Sequence, residues 1–176
     1  GSALEWLRER IAIDVDRALA SPATTAGAPE PPLFMNCVGG LGAPFWQPGF
    51  PVEFVGDADS DDAARLAAVL ESIAFLLSVN LEALQVSSPL ARIRVTGGLA
   101  RSDDLCRSLA DASGLPVERY ALAEATARGT AFLAAGEPAG WRTLPVERVF
   151  VPSGDPALSA RFARWRAEMA RRGAVA

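Results

Sequence analysis

The chain has 176 residues, half of them apolar and 22% charged, the balance of one globular domain with a substantial core rather than of a disordered tail. A net charge of −4 offers no basic surface to neutralise a phosphate backbone and gives nucleic-acid binding no support. All 17 positive charges are arginine, and without lysine or histidine the chain can build neither a Walker-type phosphate loop, nor a Ser-His-Asp triad, nor a histidine-ligated zinc site.

Residues 3–20 place Leu4, Leu7, Ile11, Val15 and Leu19 close to helical spacing with charges between them, which predicts one amphipathic helix. Residues 21–32, rich in Ala, Pro and Thr, form a linker with nothing to build a core. Leu33 to Val38 reads as a short buried strand, a Gly/Pro-punctuated loop follows, and Val52 to Val55 reads as a second strand. Ser60-Asp61-Asp62 is a helix start, since short oxygen-bearing side chains satisfy free N–H groups and negative charge suits the positive end of the helix. The helix that follows, to about Leu84, carries Leu66, Val69, Leu70, Ile73, Leu76, Leu77, Leu81 and Leu84 on a broad apolar face and should lie buried. No stretch reads as long and uncharged enough to span a membrane, and the N-terminus shows no basic-then-apolar signal pattern.

Arg92 to Thr96 alternates as a strand and runs into Gly97-Gly98, after which Ser102-Asp103-Asp104 caps a helix that Gly114 stops. Pro116 to Tyr120 is a short strand. Ala123 to Ala135 is a helix whose small residues, among them Ala125, Ala127, Gly129 and Ala131, suit close backbone packing. In the last segment, Asp155-Pro156 is an N-cap followed by proline at the first helical position, and Leu158, Phe162, Trp165 and Met169 share one face. Strand and helix alternate, which makes this an α/β domain with its core in 33–136 and a tail with a closing helix in 137–176. Cys37 and Cys106 lie far apart without the spacing of a metal knuckle or redox pair, and read as buried thiols of a cytoplasmic protein.

The feature richest in chemistry is RVTGGLARSDDL, residues 94–105: a strand, a glycine pair and a capped helix start. Such a turn lets a planar ligand or a phosphate come against the main chain. Taken alone, it is equally well a tight turn that needs glycine for its dihedrals. Glu71 and Glu124 are the obvious acids for general-base work.

Four segments occur in order: GLGAPFW (40–46), LESIAFLLSVNLEAL (70–84), VTGGLARSDDLCRSLADASGLPV (95–117) and EATARGTAFLAAG (124–136). Together they resemble the C-terminal half of FGGY carbohydrate kinases, whose members include glycerol, xylulose and gluconate kinases. The resemblance implies a ribonuclease H-like (actin-like ATPase) lobe, incomplete at its N-terminus, with ATP held between it and a sugar-binding first lobe. It implies transfer of the ATP γ-phosphoryl to a sugar or polyol hydroxyl with Mg²⁺, by a catalytic aspartate and a phosphate loop that lie upstream of residue 1, so that this chain alone is inactive. By that match Gly97, Gly98 and Leu99 lie against adenine and ribose, Ser102 takes a polar position that helps hold the nucleotide, Gly1 lies near the phosphates, and Glu5 takes a nucleotide-contacting position that is glutamine in glycerol kinases. Trp6 packs. Glu71 and Glu124 become capping or network residues. Residues 49–62 depart from the family's second signature, which argues against a close match to the glycerol kinase branch. The alternative is a non-catalytic nucleotide-binding or interaction module, or a structural domain whose long apolar helix is buried by a partner chain. An open sheet edge also invites a homo-oligomer.

Overall fold

The computed structural model describes residues 2–12, 14–19, 30–122, 124–139, 141 and 144–174. Its elements in chain order are α1 (Ser2–Arg8), α2 (Val15–Leu19), β1 (Leu33–Met35), β2 (Glu53–Val55), α3 (Asp62–Gln85), β3 (Ile93–Val95), a 3-10 turn (Gly98–Arg101), α4 (Asp103–Ser113), β4 (Val117–Tyr120), α5 (Ala125–Ala134), β5 (Val146–Phe150) and α6 (Pro156–Arg171). β1 and β2 form an antiparallel pair, and the second sheet has the order β3-β4-β5. β3, α4 and β4 make a parallel crossover unit with Ile93 opposite Val117, and β5 returns antiparallel with Phe150 opposite that same valine.

The single helix expected over 3–20 is two helices. The Leu7 carbonyl accepts from both Arg10 N (2.8 Å) and Ile11 N (3.2 Å), which tightens and ends α1. Asp14 then caps α2 by accepting from Arg17 N at 3.1 Å, and Ala12 N donates to Asp62 Oδ2 at 2.9 Å. Local side-chain bonds thus compete with the helical ladder, while Leu4, Leu7 and Val15 still reach the core. Residues 21–29 of the expected linker lie outside the described residues. β5 falls in the stretch read as a tail, so the sheet extends past residue 136; its sequence VERVF alternates as a strand does.

Asp61 caps α3 by accepting from Ala64 N at 2.8 Å. Leu66, Val69 and Leu70 of α3 join α1, α2, α4, Phe34, Val117 and Phe150 in one apolar cluster. Phe75 and Val79, on another face, join Met35, Cys37 and the α6 residues Leu158, Phe162, Trp165 and Met169 in a second. Two residues of the expected apolar face, Leu77 (43% exposed) and Leu84 (60%), point outward instead, because the chain turns its second buried face toward α6. With 24 residues α3 does have the length and apolarity of a membrane span, against the expectation from sequence; its coverage from two sides makes it a core helix. α5 buries none of its residues, so the packing expected of its small side chains is not made among the described residues.

α6 starts as expected, with Asp155 accepting from Ala157 N at 2.8 Å and Pro156 in the first turn. Its Trp165 is 1% exposed, donates from Nε1 to the Phe34 carbonyl at 3.0 Å, and lies 5.7 Å from Phe75, which stacks on Phe162 at 4.9 Å. Both cysteines are free and buried, and burial pushes each thiol up to about 11, so at neutral pH both stay protonated and unreactive.

Arg161 ties α6 to α3 and to the segment before β1. It is buried, donates to Glu71 from Nε (2.9 Å) and Nη2, and donates to the carbonyls of Pro31 (2.6 Å) and Pro32 (3.2 Å). Burial pushes the Glu71 carboxyl above its ordinary range, and the Arg161 guanidinium pulls it partly back. Arg161→Met leaves that carboxylate buried without its cation, and urea denaturation at pH 7 should show a loss of about 3–5 kcal/mol. In the variant the upward shift grows, so folding takes up a proton; the lost stability should partly return as pH falls from 7 toward about 4.3, the unfolded value. A loss independent of pH would show that Glu71 is not the group left stranded.

Candidate functional site

β3 delivers the chain to Gly97, whose φ of 90° and ψ of 179° lie in a region that is open essentially to glycine alone. Gly97 N donates to the Leu122 carbonyl beyond β4 at 2.8 Å, and the Gly97 carbonyl accepts from Ala100 N at 3.2 Å to open the 3-10 turn. At Gly98 a Cβ would meet nothing within 4 Å and no positive φ is required. The fold therefore does not need this glycine, and its effect is to leave main chain bare. Ser102 ends the turn and begins α4; its hydroxyl, 2% exposed, accepts from Leu105 N at 3.2 Å.

The turn rests on Arg119. This β4 residue is 9% exposed and donates from Nη1 to the carbonyls of Ala100 (3.3 Å) and Arg101 (3.4 Å) and to Asp103 Oδ1 (2.8 Å), while Nη2 pairs with Glu147 at 3.0 Å. Asp103 also accepts from Arg107 (3.2 Å) and Arg148 (2.5 Å), so one carboxylate at the start of α4 gathers arginines from α4, β4 and β5. A buried, many-bonded guanidinium of this kind fixes backbone position well.

Two hollows flank the turn. The larger, ≈ 560 Å³, lies between Gly98, Leu99 and Arg101 on one side and Leu4, Arg8, Asp16 and Leu19 of α1 and α2 on the other. The smaller, ≈ 350 Å³, opens beside Gly97, Arg101, Arg119, Tyr120 and Glu147 at the C-terminal ends of the parallel strands. In the larger one, Leu4, Leu19 and Leu99 are apolar, and Arg8 is paired with Asp16 at 2.6 Å. A bare main-chain edge facing apolar side chains, rimmed by a few charges, suits a flat heterocyclic ligand with polar substituents.

Residues 1–136 match the model of the C-terminal domain of the FGGY family of carbohydrate kinases. The chain belongs to this family. Among curated relatives, the glycerol kinase of Gloeobacter violaceus is 34% identical over 180 residues, covering 94% of this chain and 36% of the relative. That of Bordetella parapertussis is 36% identical over 182 residues, covering 94% and 35%. The chain thus spans about 36% of the length of the curated relatives it matches, namely the C-terminal part. A xylulose kinase from Brucella ovis superposes with a TM-score of 0.77 at 25% identity over 97% of this chain and 37% of that one. Plasmodium falciparum glycerol kinase, solved with ADP, shares the fold at a TM-score of 0.77 and 21% identity, over 100% of this chain and 37% of that one. The ribonuclease H-like, actin-like ATPase lobe expected from the sequence motifs is the fold observed, in its C-terminal part. Glycerol kinases are thus among the relatives that match the chain, at 34–36% identity.

The FGGY C-terminal domain gathers Gly97, Gly98, Leu99 and Ser102 into one turn, with Ser102 underneath it as a helix cap. Gly1 lies outside the described residues. Glu5 stands on α1 beside the larger hollow without lining it, paired with Arg8 at 2.5 Å, and Leu4 faces the hollow instead. Trp6 packs on Phe34 and Phe54 at 5.3 and 6.0 Å. Glu71 is a network residue, whereas Glu124 is exposed and makes no cap bond with its side chain. Arg8, Asp16, Leu19, Arg101 and Arg119 were missed from the sequence. Only Arg119 left a signal there: two residues after the inward-facing Val117, it too points inward from β4.

Glycine is required at 97 by conformation and at 98 by nothing in the fold. Gly97→Ala should therefore cost about 1–3 kcal/mol in urea denaturation, whereas Gly98→Ala should be neutral or stabilise by roughly 0.4–1 kcal/mol. Equal losses at both positions would show that backbone conformation is not what separates them.

Proposed function

We propose that this chain forms the nucleotide-binding half of an ATP-dependent carbohydrate kinase, which transfers the ATP γ-phosphoryl to a hydroxyl of a sugar or polyol. The observation that carries the reading is the bare Gly98 edge facing Leu4 and Leu19 across a hollow of ≈ 560 Å³, which is large enough for a nucleoside. In this reading adenine and ribose lie on Gly97, Gly98 and Leu99, and Ser102 holds the turn in shape from below. The family resemblance assigns Glu5, on α1 beside the hollow, to the end of the site nearer the phosphates; Gly1, assigned there by the same resemblance, lies outside the described residues.

ATP supplies the phosphoryl group; the described residues of this chain bind and orient its nucleoside end and shield it from water. Neither acid singled out in the sequence takes the part of proton acceptor in this reading. Glu71 is occupied by Arg161, and Glu124 stands at the exposed start of α5. The family resemblance assigns that acceptor, the phosphate loop and the sugar site to the first lobe, with closure of the two lobes excluding water. It also brings Mg²⁺, which would neutralise charge on the phosphates; among the described residues no three carboxylate or thiol groups converge on an ion site. Free buried cysteines and the use of ATP support a cytoplasmic setting.

Calorimetric titration of the chain with ATP and with ADP in the presence of Mg²⁺ tests the reading. Saturable binding is expected, and Gly98→Asp, which points a carboxylate into open space without straining the fold, should weaken it at least about tenfold. A folded wild-type chain that binds neither nucleotide would overturn the claim that this lobe carries the site on its own.

A further inference from the structure

Arg101 stands on the ridge between the two hollows and lines both. It closes the 3-10 turn that begins at Gly98, and in a helix of three residues per turn, positions 98 and 101 fall on the same face. The side chain therefore rises from the face that Gly98 leaves bare. Its root is fixed, because the Arg101 carbonyl accepts from the buried Arg119.

What sets Arg101 apart is a side chain without a partner among the described residues. The chain carries 21 acidic residues for its 17 arginines. Among the described arginines Arg101 is the one whose side chain has no hydrogen bond, ion pair or ring contact. Its neighbour across the larger hollow, Arg8, is already neutralised by Glu5 and Asp16. The apolar lining residues beside the turn that keep exposed surface, Leu99 and Leu19, offer nothing to a phosphate and an apolar surface to an aromatic plane. A guanidinium is itself planar and weakly hydrated, and stacks on aromatic faces.

We infer that Arg101 closes over the purine base seated on Gly98, stacking its guanidinium on the ring and so contributing base affinity rather than phosphate affinity. This rests on the nucleotide reading above and adds to it a residue that the turn's glycines do not supply.

The test is titration of the wild-type chain, Arg101→Ala and Arg101→Lys with adenosine, ADP and inorganic pyrophosphate. Because the side chain is exposed and unpaired, both variants should keep wild-type stability to within about 0.5 kcal/mol. Arg101→Ala should weaken adenosine and ADP by the same factor, roughly 3- to 30-fold, leave pyrophosphate unchanged, and not be rescued by lysine, which keeps the charge without the plane. Unchanged adenosine affinity in Arg101→Ala, or a loss confined to ADP and pyrophosphate, overturns the inference while leaving the nucleotide site in place. A folded wild-type chain that binds neither adenosine nor ADP sinks the nucleotide reading itself.

Discussion

An apolar helix of 24 residues has to be covered, and α3 is covered from two directions. One face takes α1, α2, α4 and the β3-β4-β5 sheet, and the other takes α6 and the loop after β1. Because both clusters share this one helix, the closing helix at the end of the chain is as much part of the core as the crossover unit in the middle. Arg161 reinforces the second side by joining α6, α3 and the residues before β1 in one buried network. Such a network does not make the fold much more stable than apolar packing would, but breaking half of it is costly, so it fixes which way α6 lies.

The site inherits its shape from the first side. With α1 and α2 packed on the core around α3, Leu4 and Leu19 line a hollow together with Gly98, Leu99 and Arg101 of the turn after β3. The turn keeps its form from below, through Ser102 capping α4 and Arg119 bonded to two of the turn's carbonyls. Asp103 links these supports, since its carboxylate collects arginines from three elements. The upper surface of the turn is thereby left without structural duties, which is the condition for Gly98 and Arg101 to serve a ligand.

Other surfaces remain open. Helix α5 buries nothing, and Val146 and Val149 of β5, with Val151 just after it, are exposed along an edge. An open strand edge and an uncovered small-residue helix both gain from being packed against. The family relatives carry most of their length outside the part that matches this chain.

Much of this was legible in the amino-acid order alone. Short-range chemistry decides helix starts and stops, so Asp61, Ser102, Gly114 and Asp155-Pro156 fall where their side chains and dihedrals demand. The glycine pair likewise announces a turn, and four ordered motifs announce the family. Tertiary structure decided the rest. It split the helix expected over 3–20, because Asp14 and Asp62 compete for its backbone; it drew residues 146–150 into the sheet, and it turned Leu77 and Leu84 outward. It also distinguished the two glycines, one required by its φ and the other by no neighbour. Arginine pairing depends on which acid each meets in space, so only the folded chain could single out Arg119 as the support of the turn and Arg101 as the one cation without a partner among the described arginines.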